Sequence, residues 1–462
     1  MAQPPLDRLG QGRRRAARAA ARSGCAARRG GAALHRRRDG RPARPGAAVT
    51  RAPDADLGGR RVVVVNWRDL DHSLAGGAEI YAWQLARGLR DAGAQVDFVT
   101  ARDEGQPARE VRDGITIQRG GGRLGFYLFA LVWLLRHRRQ VDAVVDPACG
   151  LPSFSPLVLR RRTPAVLIVH HVHQAQFGVH FPAPAAALGR WLERVAMRRV
   201  YRRHTTLAVS ASTAAEMRSQ LGWTGEIGLL PNGADLPSYD ARRAADKDAD
   251  RIVVLGRLVT HKRVDLVLEA IAGAGSRATL AGRDLHVDVI GQGPERDRLV
   301  ARAAELGLAD RVTFHGFLPA ADKDELLARA ALHVCGSDAE GWGQAVIDAA
   351  GWGVPTLARD VPGLRDSIKQ GESGWLVPDT DGEALIVSRL ADGVESALAD
   401  ATGPDARIQR AEACLAWARR FDWAQTRLAA ADLVARSLTP ITTGAAEAVT
   451  DRHHPRDARV AV

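Results

Sequence analysis

The segment Ser337-Asp338-Ala339-Glu340-Gly341-Trp342-Gly343 leads into a helical stretch that carries Asp348. Gly341 and Gly343 have no side chain to hold a ligand off the backbone, and amides at the start of a following helix attract an anion such as a phosphate. Glu340 in the loop and Asp348 about a turn into the helix are placed to accept hydrogen bonds from sugar and ribose hydroxyls. A glycine turn with a helix-capping acid accounts for the same residues equally well. Upstream, the apolar run Ile252 to Leu255 enters Gly256-Arg257-Leu258-Val259-Thr260-His261-Lys262, which sets Arg257 and Lys262 five residues apart at a strand end. Two cations there can neutralise a diphosphate through charge-assisted hydrogen bonds without a metal. Taken singly, an Arg and a Lys in a loop are more often solvated. Gly291-Gln292-Gly293-Pro294 has two of the three glycines of a dinucleotide fingerprint and lacks the third, so a nicotinamide reading is weak.

The first half of the chain offers two further constellations. Gly76-Gly77-Ala78-Glu79 follows an apolar run and opens a helix, which suits either an anion cradle or a tight turn with an acidic first helical residue. The run Val166 to Val169 ends in His170-His171-Val172-His173. Three imidazoles at the end of a buried strand point to function more than to structure, and the His-x-His spacing would suit a metal pair but has no third ligand nearby in sequence.

These residues need elements that bring them together. Short apolar runs alternate with amphipathic stretches, the pattern of parallel sheets covered by helices. One series runs from Val62 to Val209 and a second from Ile252 to Ala358, with a polar stretch between them. The expectation is an α/β protein of two doubly wound Rossmann-like domains that face a cleft, with ligands held beyond the carboxyl ends of the strands. Residues 1–60 read as an Arg/Ala-rich extension, 61–235 as the first domain and 236–250 as a linker. Residues 251–420 read as the second domain, 421–438 as a helix and 439–462 as a tail. Both end segments are too poor in large apolar side chains to offset the entropy of ordering, so disorder is expected there.

Composition narrows the class. The formal charge is +12, yet residues 1–61 alone hold 16 Arg against four acids, which leaves the rest of the chain neutral. The basic isoelectric point therefore describes a tail and gives the folded body no specific claim on nucleic acid. Cys25, Cys149, Cys335 and Cys414 are isolated, which indicates neither a disulfide framework nor a zinc site and fits a reducing cytoplasm. No apolar run reaches membrane-spanning length. The apolar residues from Leu124 to Leu135, flanked by Arg123 and by Arg136-His137-Arg138-Arg139, suit either a sheet-covering helix or a peripheral contact of residues 123–139 with an anionic membrane surface.

The motifs GGAE, VHH at a strand end, VSAST, LPNGAD, GRLVTHK, VIGQGP, FHGFLP and EGWGQAVIDAAGWGVP, in this order, resemble the family 4 glycosyltransferases of the GT-B fold. The resemblance covers roughly residues 61–434. It implies transfer of a sugar from a nucleotide diphosphate donor, such as a UDP- or GDP-sugar, to an acceptor hydroxyl with retention, without metal or cofactor. The acceptor would be a glycan or a lipid-linked glycan in cell-envelope or polysaccharide synthesis, at the inner face of the membrane. On this resemblance the second domain binds the donor through Gly256, Arg257, Lys262, Gly291, Gly293, Glu340, the Gly341-Trp342-Gly343 turn and Asp348. His170, Glu340, Arg257 and Lys262 carry the chemistry, Gly76 and Gly77 lie near the phosphate or acceptor, and the final helix crosses back to the first domain. One position departs from the family pattern of Glu, seven residues, Glu. Asp348 is one methylene, roughly 1.5 Å, shorter, which puts its ribose contact in doubt. Alternatives are a sugar-nucleotide epimerase or a phosphorylase of the same architecture, and a non-catalytic nucleotide-sugar-binding protein. An epimerase needs no acceptor, and a phosphorylase needs a pyridoxal lysine, for which none of the four lysines has a motif.

Overall fold

The computed structural model describes residues 55–439, apart from Leu74, Cys149, Ala278, Thr279, Ala281, Asp381 and Ala401. The extension up to residue 54, the tail from residue 440, and with them Cys25, lie outside the described residues. Two sheets organise the chain.

The first sheet contains β1 (Arg61–Val65), β2 (Gln95–Ala101), β3 (Arg109–Arg112), β4 (Ile115–Gly120), β5 (Ala143–Ala148), β6 (Ala165–Val169), β7 (Thr205–Ala208) and β8 (Gly228–Leu229). Their order is β3-β4-β2-β1-β5-β6-β7-β8. All pairs are parallel except β3 with β4. Parallel strands are buried on both faces, which is why β1 and β6 are continuous apolar runs. Alternate residues go to opposite faces. Val62 and Val64 pack with Tyr81, Leu85 and Leu89 of helix Gly77–Asp91. Val63 and Val65 pack with Phe126, Ala130 and Leu134 of helix Gly122–His137.

The second sheet contains β9 (Asp248–Leu255), β10 (His286–Ile290), β11 (Val312–Gly316), β12 (Ala330–Cys335), β13 (Thr356–Arg359) and β14 (Gly374–Val377). Its order is β11-β10-β9-β12-β13-β14, parallel throughout. Ile252 and Val254 share a core with helices Val264–Gly275 and Glu383–Asp400, while Val253 faces Leu327 and Ala349 on the other side.

The last helix, Trp423–Leu438, returns to the first sheet. Trp423, Ala430, Ala431 and Val434 join the core built on Val62 and Leu85. A Cβ on Gly88 would stand 2.6 Å from the Arg427 carbonyl oxygen, so the two helices touch backbone to backbone there. Gln84 accepts a 2.8 Å hydrogen bond from Arg427 Nη1.

Two sequence boundaries need correction. Residues 55–60, placed in the extension by composition, belong to the first domain: Leu57 is buried and its amide donates to the Ala92 carbonyl at 2.8 Å. One apolar residue among polar ones was too weak a signal. Residues 236–250 are not a free linker either. Tyr239 and Ala244 are buried, a 3-10 turn spans Ala241–Asp246, and β9 starts at Asp248. Lys247 Nζ is buried against the carbonyls of Leu327 (3.2 Å) and Ala328 (2.9 Å), and burial lowers its ammonium to about 7. Among the described residues no helix is long and apolar enough to cross a membrane.

Candidate active site

The cleft is built from loops that leave the carboxyl ends of β9, β10 and β12 on one side and of β1 and β6 on the other. β9 gives way to Gly256, whose φ of +149° is open to glycine. Gly291, after β10, has φ +137°, and a Cβ there would stand 1.9 Å from the Gly256 carbonyl oxygen. A Cβ on Gly293 would stand 2.1 Å from the Leu258 oxygen. These glycines let two loops lie against each other, tied by Leu258 N to Gln292 O at 3.0 Å and Glu295 N to Leu258 O at 3.1 Å. The paired loops form the floor beneath Lys262.

Lys262 Nζ is ion-paired with Glu340 Oε1, which also accepts a 2.8 Å hydrogen bond from Ser337 Oγ. Burial alone would depress the Lys262 ammonium, but the adjacent Glu340 carboxylate outweighs it and the net shift is upward. Arg257 is exposed beside this pair and, among the described residues, has no carboxylate partner. The Glu340 loop is pinned from beneath by a residue that sequence reasoning missed. Arg359, buried at the end of β13, donates to Gly336 O at 3.1 Å and pairs with Asp338 and Asp379. Arg263 lies 3.6 Å from Asp338. An arginine at a strand end carries no motif, so only the fold reveals it.

The turn after Glu340 is crowded on purpose. A Cβ on Gly341 would stand 2.3 Å from the His170 carbonyl oxygen, and one on Gly343 2.2 Å from Ser367 Oγ. Gly341 is therefore one place where the two domains touch, with Ser212 N donating to Asp366 Oδ2 at 2.8 Å as another. Between the two glycines, Trp342 gives its backbone to the turn and its side chain to the core. It is buried edge-on against Phe421, ring centroids 4.9 Å apart, in the core that anchors the final helix. Asp348 lies in helix Gln344–Gly351 and accepts from Gln344 Nε2 at 3.1 Å, while the same Nε2 donates to Gly233 O at 3.0 Å. Burial raises its carboxyl, and Lys323 opposes that rise.

From the first domain comes His170, directly after β6. Its ring packs edge-on against Tyr81 at 4.7 Å, and its buried Nε2 has no hydrogen-bond partner among the described residues. Burial, with a smaller contribution from His173, lowers it to about 4. His171 is lowered to about 4 as well, by burial and then by His173, against the opposing pull of Glu193 and Glu340. Both imidazoles are neutral at ordinary pH. His171 Cβ lies 3.8 Å from where a Cβ on Gly341 would stand, so His171 as well as His170 borders the second-domain loop. Gly76 and Gly77 start helix Gly77–Asp91 through a capping arrangement: Glu79 Oε2 accepts from Gly76 N at 2.6 Å, and Arg68 Nε donates to Glu79 Oε1 at 2.9 Å. Nothing crowds Gly77, for a Cβ there would meet no atom within 4 Å. Among the described residues no three His, Cys, Asp or Glu side chains cluster so as to hold a metal ion.

Comparison with known proteins gives the arrangement a lineage. Residues 75–237 match the family described as Glycosyltransferase Family 4, and residues 237–413 match Glycosyl transferases group 1. The chain is 28% identical over 306 residues to alpha-D-kanosaminyltransferase of Streptomyces kanamyceticus, covering 61% of this chain and 75% of that one. It is also 28% identical to the GDP-mannose-dependent alpha-(1-6)-phosphatidylinositol monomannoside mannosyltransferase of Mycolicibacterium smegmatis, over 52% of this chain and 63% of the relative. Several inositol-phosphate glycosyltransferases are matched over about half their length. Sucrose-phosphate synthase from Thermosynechococcus elongatus superposes with a TM-score of 0.63 at 22% identity, covering 80% of this chain and 96% of that one. Anabaena HepE in complex with UDP-glucose superposes with a TM-score of 0.58 at 18% identity, covering 82% and 99%. At these identities the structural likeness is one of fold.

Proposed function

This chain belongs to the family 4 glycosyltransferases, with the two-domain GT-B fold, and from that premise we propose that it moves a sugar from a nucleoside diphosphate sugar to an acceptor hydroxyl, with retention and without a metal. The observation that carries the reading is the pair of cations after β9: Lys262, held by Glu340, and Arg257, which has no acid partner among the described residues. When the bond between the anomeric carbon and the diphosphate breaks, negative charge grows on the leaving group. Fixed cations stabilise that state more than the ground state. The nucleoside diphosphate departs, the acceptor oxygen bonds to the same face of the sugar, and the departing phosphate oxygen takes the acceptor's proton. Glu340 orients Lys262 and accepts from a sugar hydroxyl. His170 brings a neutral imidazole and a carbonyl to the reacting carbon. Gly76 and Gly77, uncrowded at a helix start, face the acceptor or its phosphate.

The relative that uses GDP-mannose and acts on a phosphatidylinositol mannoside supports a nucleotide-sugar donor and a glycolipid acceptor. A lipid-linked acceptor calls for contact with the inner face of a membrane. Helix Gly122–His137 suits that task, exposing Leu128 and Leu135 and ending beside Arg136, Arg138 and Arg139. Sedimentation with anionic vesicles at low and high salt tests this part, and absence of binding at low salt rejects it.

The donor site is tested by thermal shift and slow hydrolysis against a panel of UDP-, GDP- and ADP-sugars. One nucleotide class is expected to raise the melting temperature in the wild type and not in Lys262→Ala. If the Lys262→Ala protein binds and turns over like the wild type, the diphosphate site lies elsewhere.

A further inference from the structure

The transfer reading gives no task to the buried Glu193. Glu193 lies in a π-helical turn, Leu192–Ala196, between helices Ala183–Trp191 and Met197–Tyr201. Single π-turns inside helices are rare and often mark functional sites. Its carboxylate is 1% exposed, and among the described residues no Lys or Arg pairs with it. It instead accepts two short hydrogen bonds from the turn that follows β6. Oε1 accepts from the His173 amide at 2.7 Å, and Oε2 from Gln174 Nε2 at 2.7 Å. Gln174 Nε2 also reaches the Arg190 carbonyl at 3.2 Å, and His173 Nδ1 lies 2.9 Å from the His171 carbonyl. The backbone of 170–174 is thereby fastened at two points, and the same stretch carries both His170, which abuts Gly341, and His171, which feels Glu340.

A buried carboxylate is costly unless its hydrogen bonds are made, and charge-assisted bonds to a backbone amide are about twice as strong as neutral ones. We propose that Glu193 is a positioning residue of the transfer reaction, fixing the 170–174 turn and through it the place of the His170 imidazole and carbonyl against the Glu340-Gly341 loop. The inference rests on the cleft being the transfer site. It assigns Glu193 no contact with substrate. Its effect is on the approach of the acceptor-side groups to the reacting carbon, where a misplacement of about 1 Å can cost about a hundredfold in rate.

The domains separate the readouts. Arg257 and Lys262 lie in the second domain, so UDP and GDP dissociation constants measured by calorimetry serve as the internal control. Glu193→Ala is expected to lower kcat about a hundredfold on the UDP-, GDP- and ADP-sugar panel while leaving nucleotide affinity within about twofold. Glu193→Gln keeps an oxygen for the His173 amide and should recover part of that loss. Gln174→Ala removes one arm while keeping Glu193 and its bond to the His173 amide, and should lose about tenfold, one hydrogen bond's worth. Hydrogen exchange gives a readout independent of turnover: amides of 170–176 should exchange faster in all three variants, with β6 unchanged. Wild-type kcat in folded Glu193→Ala overturns the proposal. Should that variant not fold, wild-type kcat in both Glu193→Gln and Gln174→Ala does so, as does unaltered exchange over 170–176. If Lys262→Ala is also fully active, the site reading has failed. If Lys262→Ala is inactive and the Glu193 variants are not impaired, only this inference has.

Discussion

Lys262 and Glu340 are held in one ion pair, with Ser337 donating to the same carboxylate oxygen, so each fixes the other's position. Removing either should therefore harm more than its own contact. Lys262→Ala is expected to lower kcat by about 10² to 10³, the usual loss of a single preorganised charge-stabilising group. Glu340→Gln should lower kcat less than Lys262→Ala does, since the amide oxygen still accepts from Ser337. Steady-state nucleotide release measures both. Asp348 is held by Gln344 in surroundings that raise its carboxyl. Asp348→Glu restores the family's usual length and should leave turnover unchanged or raise it. The histidines set the pH behaviour. His170 and His171 are depressed to about 4 in the fold against about 6.5 in the unfolded chain. As pH falls from 6.5 to 4 the unfolded chain takes up protons that the folded one refuses, so stability drops across that window and is regained above it. Urea midpoints taken at half-unit steps should show this, while kcat stays free of a titration near pH 6.5.

At the level of loops and helices, the glycines divide into two kinds. Gly291, Gly293 and Gly341 are needed because backbone meets backbone, with room for no Cβ. Gly77 has open space around it. Gly341→Ala should separate the domain contact and abolish turnover, and Gly291→Ala should destabilise the second domain by about 1 to 3 kcal/mol through forced backbone shifts. Gly77→Ala should leave the melting temperature unchanged or raise it, Ala being the better helix former. A fall in turnover with no fall in stability would place an acceptor or phosphate against that helix start. The sequence displayed these glycines but not their partners. Reading Gly341 and Gly343 as approach points for a ligand caught the need for a bare backbone and missed that His170 and Ser367 already occupy the space beside them. The side-chain partner of Trp342, Phe421, is nearly eighty residues downstream and equally out of reach of local reading. Glu193, Arg263 and Arg359 had no signal at all, since each works by reaching a loop from a different element.

For the molecule as a whole, the alternation of apolar and amphipathic stretches revealed the two sheets, because parallel strands must be apolar on both faces. It could not reveal β3, whose exposed and half-buried residues read as loop, nor β4, whose alternate Ile115, Ile117 and Arg119 are buried but interrupted by polar residues, nor which polar groups the 236–250 segment would bury. The return of helix Trp423–Leu438 was suggested by family resemblance alone. Periodicity marks a helix but not its destination. Deleting residues 421–462 is expected to strip the cover from Leu85 and Leu89 and yield an aggregating first domain. Light scattering and fluorescence-dye binding of the truncated protein would check this.

That returning helix orders events in time. The first domain emerges from the ribosome before the second, yet one wall of its interior is made by residues joined after the second, Arg427 meeting Gln84 across 343 positions of chain. The earliest-made half must wait unfinished, its aliphatic face uncovered, while the later half is synthesised and folds as a unit. Nascent chains stalled short of residue 421 should be cut readily by protease within residues 61–235, and become resistant there only once the final turns have left the exit tunnel.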